Sequence, residues 1–260
     1  MLDNLLLLIA SGLFSGLLAG LLGIGGGTVL VPLLVTLGYV PVQAVATSSL
    51  AIVITSLSGS FQNWRMGYLD LQRVILLGSP ALITAQFGVH TANLLPDYML
   101  LTILGFLLII NILLGNLRQR LATRRTSTST KTSKIFPIIA RLGTGGTAGF
   151  LAGLFGIGGG VIMVPLQVLF LKETIKVAIQ TSLGVIVITA LSATAGHALQ
   201  GNVLFPIGLI LGAGGLVGSR ISTSLLPKLP DRLVRLCFYG LLAMLAVYTF
   251  WQAWQSYSRM

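Results

Sequence analysis

Two runs of glycine are the parts of this sequence best suited to hold a small ligand. The sequence Gly-Ile-Gly-Gly-Gly occurs at residues 23–27 and again at 156–160, each time among apolar residues. Glycine lets a backbone turn sharply and approach a neighbour closely. A helix that begins after such a turn offers unpaired N–H groups and about half a positive charge, which suits an anion. The candidate binding residues here are Gly25, Gly26, Gly27, Thr28, Gly158, Gly159 and Gly160.

Hydroxyl and amide side chains form a second candidate element downstream of each glycine run. Ser48 and Ser49 stand near the start of one apolar segment, and Gln180, Thr181 and Ser182 near the start of its counterpart. These groups can donate hydrogen bonds to an oxyanion without placing a charge in lipid. Ser and Thr in membrane helices also commonly bond to other helices or to their own backbone. The sequence leaves both interpretations open.

Three ionisable residues could couple a transport step to protons or gate it. His197 can titrate near neutral pH, and His90 aligns with Arg220 across the two halves through Gly88 and Gly218. The alternative is that all three lie at the membrane surface. The five acidic residues fall at the ends of predicted segments, so a buried carboxylate relay is not expected. One Cys and two His predict neither a metal site nor a cofactor.

The glycine runs belong to a longer internal duplication. Residues 16–35 and 149–168 are identical at 14 of 20 positions, including a proline five residues after each run. The same offset of 133 aligns residues 48–50 with 181–183. Duplicated apolar segments that are interrupted by glycine at matching places are typical of secondary transporters.

The composition predicts an all-α integral membrane protein. The chain is 55% hydrophobic and 8% charged, whereas soluble domains carry about 25% charged residues. Its net charge of +11 indicates cytoplasmic loops rather than a nucleic-acid partner. Residues 118–134 hold six of the sixteen Lys and Arg. We interpret them as a basic cytoplasmic linker between a first transmembrane repeat, 1–117, and a second, 135–260.

Each repeat is predicted to contain one glycine-broken stretch and three further membrane spans. The broken stretches cover residues 5–37 and 135–171, which is too long for one span of about 20 residues and short for two. A helix that enters the membrane, turns at glycine and returns as a shorter helix fits better than a single broken span. The other spans are predicted at 45–62, 74–92, 98–117, 177–199, 204–225 and 233–254.

The distribution of Lys and Arg distinguishes the two arrangements. If each broken stretch crosses once, the repeats are parallel and five cations between residues 172 and 235 fall outside. If each stretch returns, the repeats are inverted, both termini lie outside, and Arg259 is the one cation on that side. The positive-inside rule favours the inverted arrangement.

The duplicated element resembles a known family. The pattern G-x-x-x-G-x-x-G-I-G-G-G-x-x-x-V-P, followed by A-T-S-S or Q-T-S, is similar to that of the sulfite exporter TauE/SafE family, over about residues 5–254. The resemblance implies a multi-pass permease of the cytoplasmic membrane that carries sulfite, an organosulfonate or a related sulfur-containing anion.

These observations together predict a secondary transporter rather than an enzyme. We expect a small anion to bind near the membrane midplane, between the glycine breaks and the hydroxyl clusters. Export by alternating access of the two repeats is the favoured mechanism. An anion channel with the same lining, or an uptake permease for another small organic anion, remains an alternative. An enzyme would need a nucleophile with a base, paired carboxylates or a metal cluster within the spans, and the sequence offers none of these.

Overall fold

The computed structural model describes residues 2–124 and 135–257. Within them the chain forms α-helices, a single-turn 3₁₀ helix at Leu226–Lys228 and no strand. The helices are α1 (Leu2–Leu22), α2 (Gly27–Thr36), α3 (Pro41–Arg65), α4 (Leu71–Leu94), α5 (Asp97–Arg124), α6 (Ile135–Phe155), α7 (Gly160–Phe170), α8 (Ile175–Leu199), α9 (Phe205–Leu225) and α10 (Asp231–Tyr257).

Six of these helices, α1, α3, α4, α8, α9 and α10, are long and apolar enough to cross a membrane. The prediction of a helical membrane protein is therefore confirmed. Each glycine-broken stretch forms one long helix followed by a short one, α2 or α7. Helix α5 continues to Arg124, seven residues into the predicted linker, since Leu, Ala, Gln and Arg favour helix. The rest of that linker, 125–134, lies outside the described residues.

The long helices pack as two groups of three, and each group takes members from both halves of the chain. Helices α1, α3 and α9 form one group, and α6, α8 and α4 form the other. Glycines let the backbones meet: a Cβ atom at Gly12 of α1 would lie 2.1 Å from the Leu211 carbonyl oxygen of α9. One at Gly145 of α6 would lie 2.0 Å from the Leu77 carbonyl oxygen of α4. Small residues at such positions allow close helix packing in membranes.

The contacts also give the relative directions of the helices. Gly12 faces Leu211 and Gly16 faces Gly215, so α1 and α9 run parallel. Across the centre, Ile52 and Ile186 both lie beside Gly25, whereas Gly59, further along α3, lies beside Leu183, which comes earlier in α8. Helices α3 and α8 are therefore antiparallel. They meet through a small apolar cluster formed by Ile52, Val53, Ile186 and Ala190.

The chain reverses direction at the first glycine break. Ser15 donates a hydrogen bond of 3.0 Å to the Gly26 carbonyl oxygen. Ser15 lies seven residues before Leu22, about 10 Å back along the axis of α1. The chain has therefore doubled back beside α1 before α2 begins. Gly159 lies in the same way against Ala148 of α6.

Candidate functional site

The glycines of each break adopt backbone conformations that other residues rarely reach. Gly25 and Gly26 have φ values of 74° and 83°, and Gly158 and Gly159 have 74° and 77°. Two consecutive left-handed residues produce the sharp turn, and each short helix begins directly after it. A side chain at these positions would strain the backbone. The spacing of glycine in the sequence thus follows from the geometry of the turn.

The two breaks contact each other at the centre of the bundle. A Cβ atom at Gly27 would lie 2.2 Å from the Gly156 carbonyl oxygen, and one at Gly160 would lie 2.0 Å from the Gly23 carbonyl oxygen. The first residue of each short helix therefore faces the end of the opposite long helix, α6 or α1. Helix N-termini carry partial positive charge and C-termini partial negative charge, so each pair of ends is electrostatically complementary.

Two serines connect the breaks across the two halves. The Ser48 hydroxyl lies 2.9 Å from the Gly156 carbonyl oxygen, and the Ser182 hydroxyl lies 2.9 Å from the Gly23 carbonyl oxygen. Each hydroxyl also faces a carbonyl oxygen of its own helix. Their protons thus point at carbonyl oxygens in this conformation. Ser49 bonds only within its own helix, to the Val45 carbonyl oxygen.

These contacts correct the alignment of the two halves beyond the breaks. Gly23 and Gly156 are 133 residues apart, but their partners Ser182 and Ser48 are 134 apart. Helix α7 has eleven residues and α2 has ten, so one extra residue shifts everything that follows. Ser48 corresponds to Ser182, and not to Thr181 as the sequence offset suggested.

The remaining candidates of the centre are buried, but they are not all directed at one point. Thr28 lies on the first turn of α2, and its hydroxyl has no partner in the described part of the chain. Gln180 and Thr181 are buried on the first turns of α8. Sequence reasoning missed Ser15 and Thr189, which donate hydrogen bonds to the Gly26 and Gly158 carbonyl oxygens. Their single hydroxyls within long apolar helices gave no signal.

His197 is fully buried in α8 and lies apart from the breaks. Its Nε2 is 3.1 Å from the Gly153 carbonyl oxygen of α6, and its Nδ1 has no partner among the described residues. The shift of 134 residues places Asn63 of α3 at the corresponding position. Asn63 is also fully buried, and neither polar atom of its side chain has a partner in the described ranges. The sequence analysis missed this correspondence because it lacked the extra residue.

His90 and Arg220 do not form the equivalent pair that the sequence suggested. The contacts of α4 and α9 also follow the 134-residue shift, since Leu77 and Leu211 receive Gly145 and Gly12. Arg220 therefore corresponds to Gln86, and His90 to Ser224. Both His90 and Arg220 are exposed on the helix surface, away from the breaks.

Comparison with known proteins identifies the family. The family model described as sulfite exporter TauE/SafE matches residues 8–249. The chain belongs to the TauE/SafE family. It is 27% identical over 258 residues to a probable membrane transporter protein of Methanocaldococcus jannaschii, covering 93% of this chain and 94% of that protein. It is 26% identical over 248 residues to the probable membrane transporter protein YunE of Bacillus subtilis, covering 86% and 91%. No solved structure matches the chain.

The two short helices of this TauE/SafE protein end in different surroundings. After α7, the Glu173 carboxylate lies 3.2 Å from the Arg73 guanidinium at the start of α4, which also binds Asp70 at 2.8 Å. Burial raises the pKa of Glu173 above its usual range, although the nearby guanidinium groups of Arg73 and Arg141 oppose this shift. After α2, the residue that corresponds to Glu173 is Tyr39, in a segment without an ion pair among the described residues.

The described residues contain no group of three or more His, Cys, Asp or Glu that could hold a metal ion. The chemistry available at the centre is therefore hydrogen bonding by hydroxyl and backbone N–H groups, together with the fields of the helix ends. Such a site can bind and release a polar or anionic molecule. Members and relatives of this family are membrane transporters, not enzymes.

Proposed function

We propose that this protein is a secondary transporter that carries a small sulfur-containing anion, such as sulfite or an organosulfonate, out of the cell. The observation that carries the proposal is the meeting of two short helix N-termini, after Gly26 and Gly159, at the buried centre of the bundle. The TauE/SafE family to which the chain belongs is described as a sulfite exporter family. A neutral site of N–H and hydroxyl donors can hold an oxyanion without a cation in the membrane.

The contacts at the centre suggest how binding could be linked to movement. The Ser48 and Ser182 hydroxyls now donate across the breaks to carbonyl oxygens. An arriving oxyanion would accept these protons instead, and it would replace a carbonyl oxygen beside Gly27 or Gly160. The two halves would then separate at one side of the breaks. Because each group of three helices contains members of both halves, such a movement would open one side as it closes the other.

The proposed membrane topology has both termini outside and residues 118–134 in the cytoplasm. The antiparallel arrangement of α3 and α8 supports inverted repeats, since these helices occupy corresponding places in the two halves. The positions of Lys and Arg support the same orientation. A negative-inside membrane potential favours the exit of an anion by about 2.3 kcal/mol per charge per 100 mV. Export could therefore proceed without a buried coupling carboxylate.

Flux measurements in proteoliposomes test this proposal. Purified protein is reconstituted, and the release of sulfite, thiosulfate, sulfate and methanesulfonate is measured with and without an imposed potential. We expect saturable flux of at least one sulfur oxyanion, with acceleration by unlabelled substrate on the opposite side. Flux that does not saturate would indicate a channel instead. Transport of none of these anions would refute the proposed substrate class.

The orientation has its own test. Reporter domains are fused after Met260 and inserted after Lys228, and the side of the membrane that each occupies is determined. We expect opposite sides, with the reporter after Lys228 in the cytoplasm. A cytoplasmic C-terminus would refute the inverted arrangement.

A further inference from the structure

A cavity of about 350 Å³ lies at one end of the bundle, away from the glycine breaks. It is formed where α2 ends and α3 begins, together with α5 and the last turns of α10. Its volume is within the usual range of small-molecule pockets. The described residues that line it include three aromatic and three other polar side chains and no charged one: Thr36, Tyr39, Tyr248, Trp251, Gln252 and Gln255.

The hydrogen bonds in the wall of this cavity leave acceptors rather than donors. The Thr36 hydroxyl donates to the Pro32 carbonyl oxygen at 2.8 Å, so in its short contact with Tyr248 the tyrosine hydroxyl is the donor. The Gln252 amide nitrogen lies 3.2 Å from the Pro32 carbonyl oxygen and 3.1 Å from the Tyr248 oxygen, and donates to both. The lone pairs of the Thr36 and Tyr248 oxygens are left over. So is the buried Gln252 Oε1, which has no partner in the described part of the chain.

The aromatic side chains add negative π-faces to this wall. The rings of Tyr248 and Trp251 have their centroids 6.1 Å apart and are inclined at 57°, and Tyr39 lies on the opposite element, between α2 and α3. An anion would meet lone pairs and π-faces here, which repel it. An ammonium group would be attracted to both, through N–H donors and through cation–π contact.

We propose that this cavity binds an ammonium group that carries at least one N–H, at the end of the bundle where α2 meets α10. The ammonium group could belong to a free alkylamine or to the ethanolamine headgroup of a lipid. Trp251 and Trp254 are both more than half exposed on α10, as expected at a membrane–water interface where headgroups lie. The site does not depend on which anion the protein carries.

Occupancy of this cavity would act on the first short helix. The side chains of Gln252 and Tyr248 attach α10 to Thr36, the last residue of α2. An ammonium group beside these atoms strengthens or displaces that attachment. The ligand would thus bear on a helix whose opposite end lies at the central break.

Titration calorimetry with purified protein in nanodiscs tests the site. Ethanolamine is the probe, 1-propanol is its neutral counterpart and methanesulfonate is the anionic one. We expect heat of binding from ethanolamine alone. Trp251→Leu should weaken the binding about three- to thirtyfold, and Trp254→Leu, on an exposed residue that does not line the cavity, should leave it unchanged. Tyr248→Phe should also weaken it, because one acceptor is lost.

The lipid composition of the nanodiscs distinguishes the two sources. If the lipid headgroup is the natural ligand, soluble ethanolamine binds in phosphatidylcholine discs and is excluded in phosphatidylethanolamine discs. If a free amine is the ligand, it binds equally in both. Equal binding of 1-propanol, binding of methanesulfonate instead, or unchanged binding in Trp251→Leu would overturn the proposal. Because no transport is measured, these outcomes are independent of the proposed export.

Discussion

The two glycine breaks at the centre of the bundle can be compared with the two segments at which the short helices end. At the centre, the same contacts occur twice: Ser48 with Gly156 and Ser182 with Gly23, both at 2.9 Å. At the ends the halves diverge, because Tyr39 lines a neutral aromatic cavity whereas Glu173 binds Arg73. The centre is where an exchange between two equivalent states would need matching surfaces. The ends face different surroundings, and each can be adapted to its own.

The largest effect is expected from filling the centre. In Gly160→Leu, the new Cβ atom would lie 2.0 Å from the Gly23 carbonyl oxygen and would force the breaks apart. We expect transport to fall below detection while membrane insertion persists, since the flanking apolar helices are unchanged. Flux in proteoliposomes and the yield of inserted protein measure both effects. Gly240→Leu is the matched control, because a Cβ atom there meets nothing within 4 Å. Normal transport by Gly160→Leu would mean that the breaks do not lie on the transport path.

A smaller effect is expected from breaking the ion pair at the end of α7. Arg73→Gln leaves the buried Glu173 carboxylate without its nearest cation and should destabilise the protein by about 1–3 kcal/mol in thermal unfolding. Glu173→Gln removes the buried charge itself, and Arg73 keeps Asp70 as a partner. We therefore expect Glu173→Gln to be the milder of the two, and the opposite order would contradict this account.

The pH dependence of stability sharpens the same comparison. Burial raises the pKa of Glu173, so the folded protein binds more protons than the unfolded chain between the ordinary value of 4.5 and the raised one. Stability should fall as the pH rises through that interval. The contribution should vanish in Glu173→Gln, as measured by thermal unfolding at a series of pH values.

Removing either central serine should cost less and should cost the same in both halves. Ser48→Ala and Ser182→Ala each lose one hydrogen bond across the breaks, about 0.5–1.5 kcal/mol. Ser49→Ala is the adjacent control, because its hydroxyl bonds only within its own helix. Thermal unfolding measures all three. A difference of more than about 1 kcal/mol between the two central variants, relative to the precision of such hydrogen-bond energies, would show that the centre is not equivalent in the two halves.

The smallest effect concerns the residue just after each short helix. Lys172 has a φ of 55°, whereas Gly38 occupies the corresponding place with a φ of 92°. Glycine is the usual residue at such a helix end. Lys172→Gly should therefore stabilise the protein by about 0.5–1 kcal/mol, and Gly38→Ala should destabilise it by a similar amount. Unfolding temperatures that move in the same direction for both variants would contradict this expectation.

The sequence predicted the helices and the breaks because both leave strong local signals. Long apolar runs determine the spans, and the left-handed turn at Gly25 and Gly26 requires glycine. The single extra residue before α8 leaves no such signal, because few residues match between the repeated prolines and the hydroxyl cluster. The equivalences of Ser48, His90 and Arg220 were therefore misassigned. The partners of Asn63, His197 and Glu173 lie on helices distant in sequence, and only packing reveals them.

The exchange of helices between the two halves has a consequence for how the chain is made. Helix α1 packs on α9, and their facing residues Gly12 and Leu211 are 199 positions apart. At about 5–20 residues per second, synthesis reaches α9 some ten to forty seconds after α1 has left the ribosome. During that interval the glycine-rich face of α1 has no partner, since α9 has not yet been made. Biogenesis of this protein therefore requires that the insertion machinery or the surrounding lipid shelter an unfinished helix until its mate arrives.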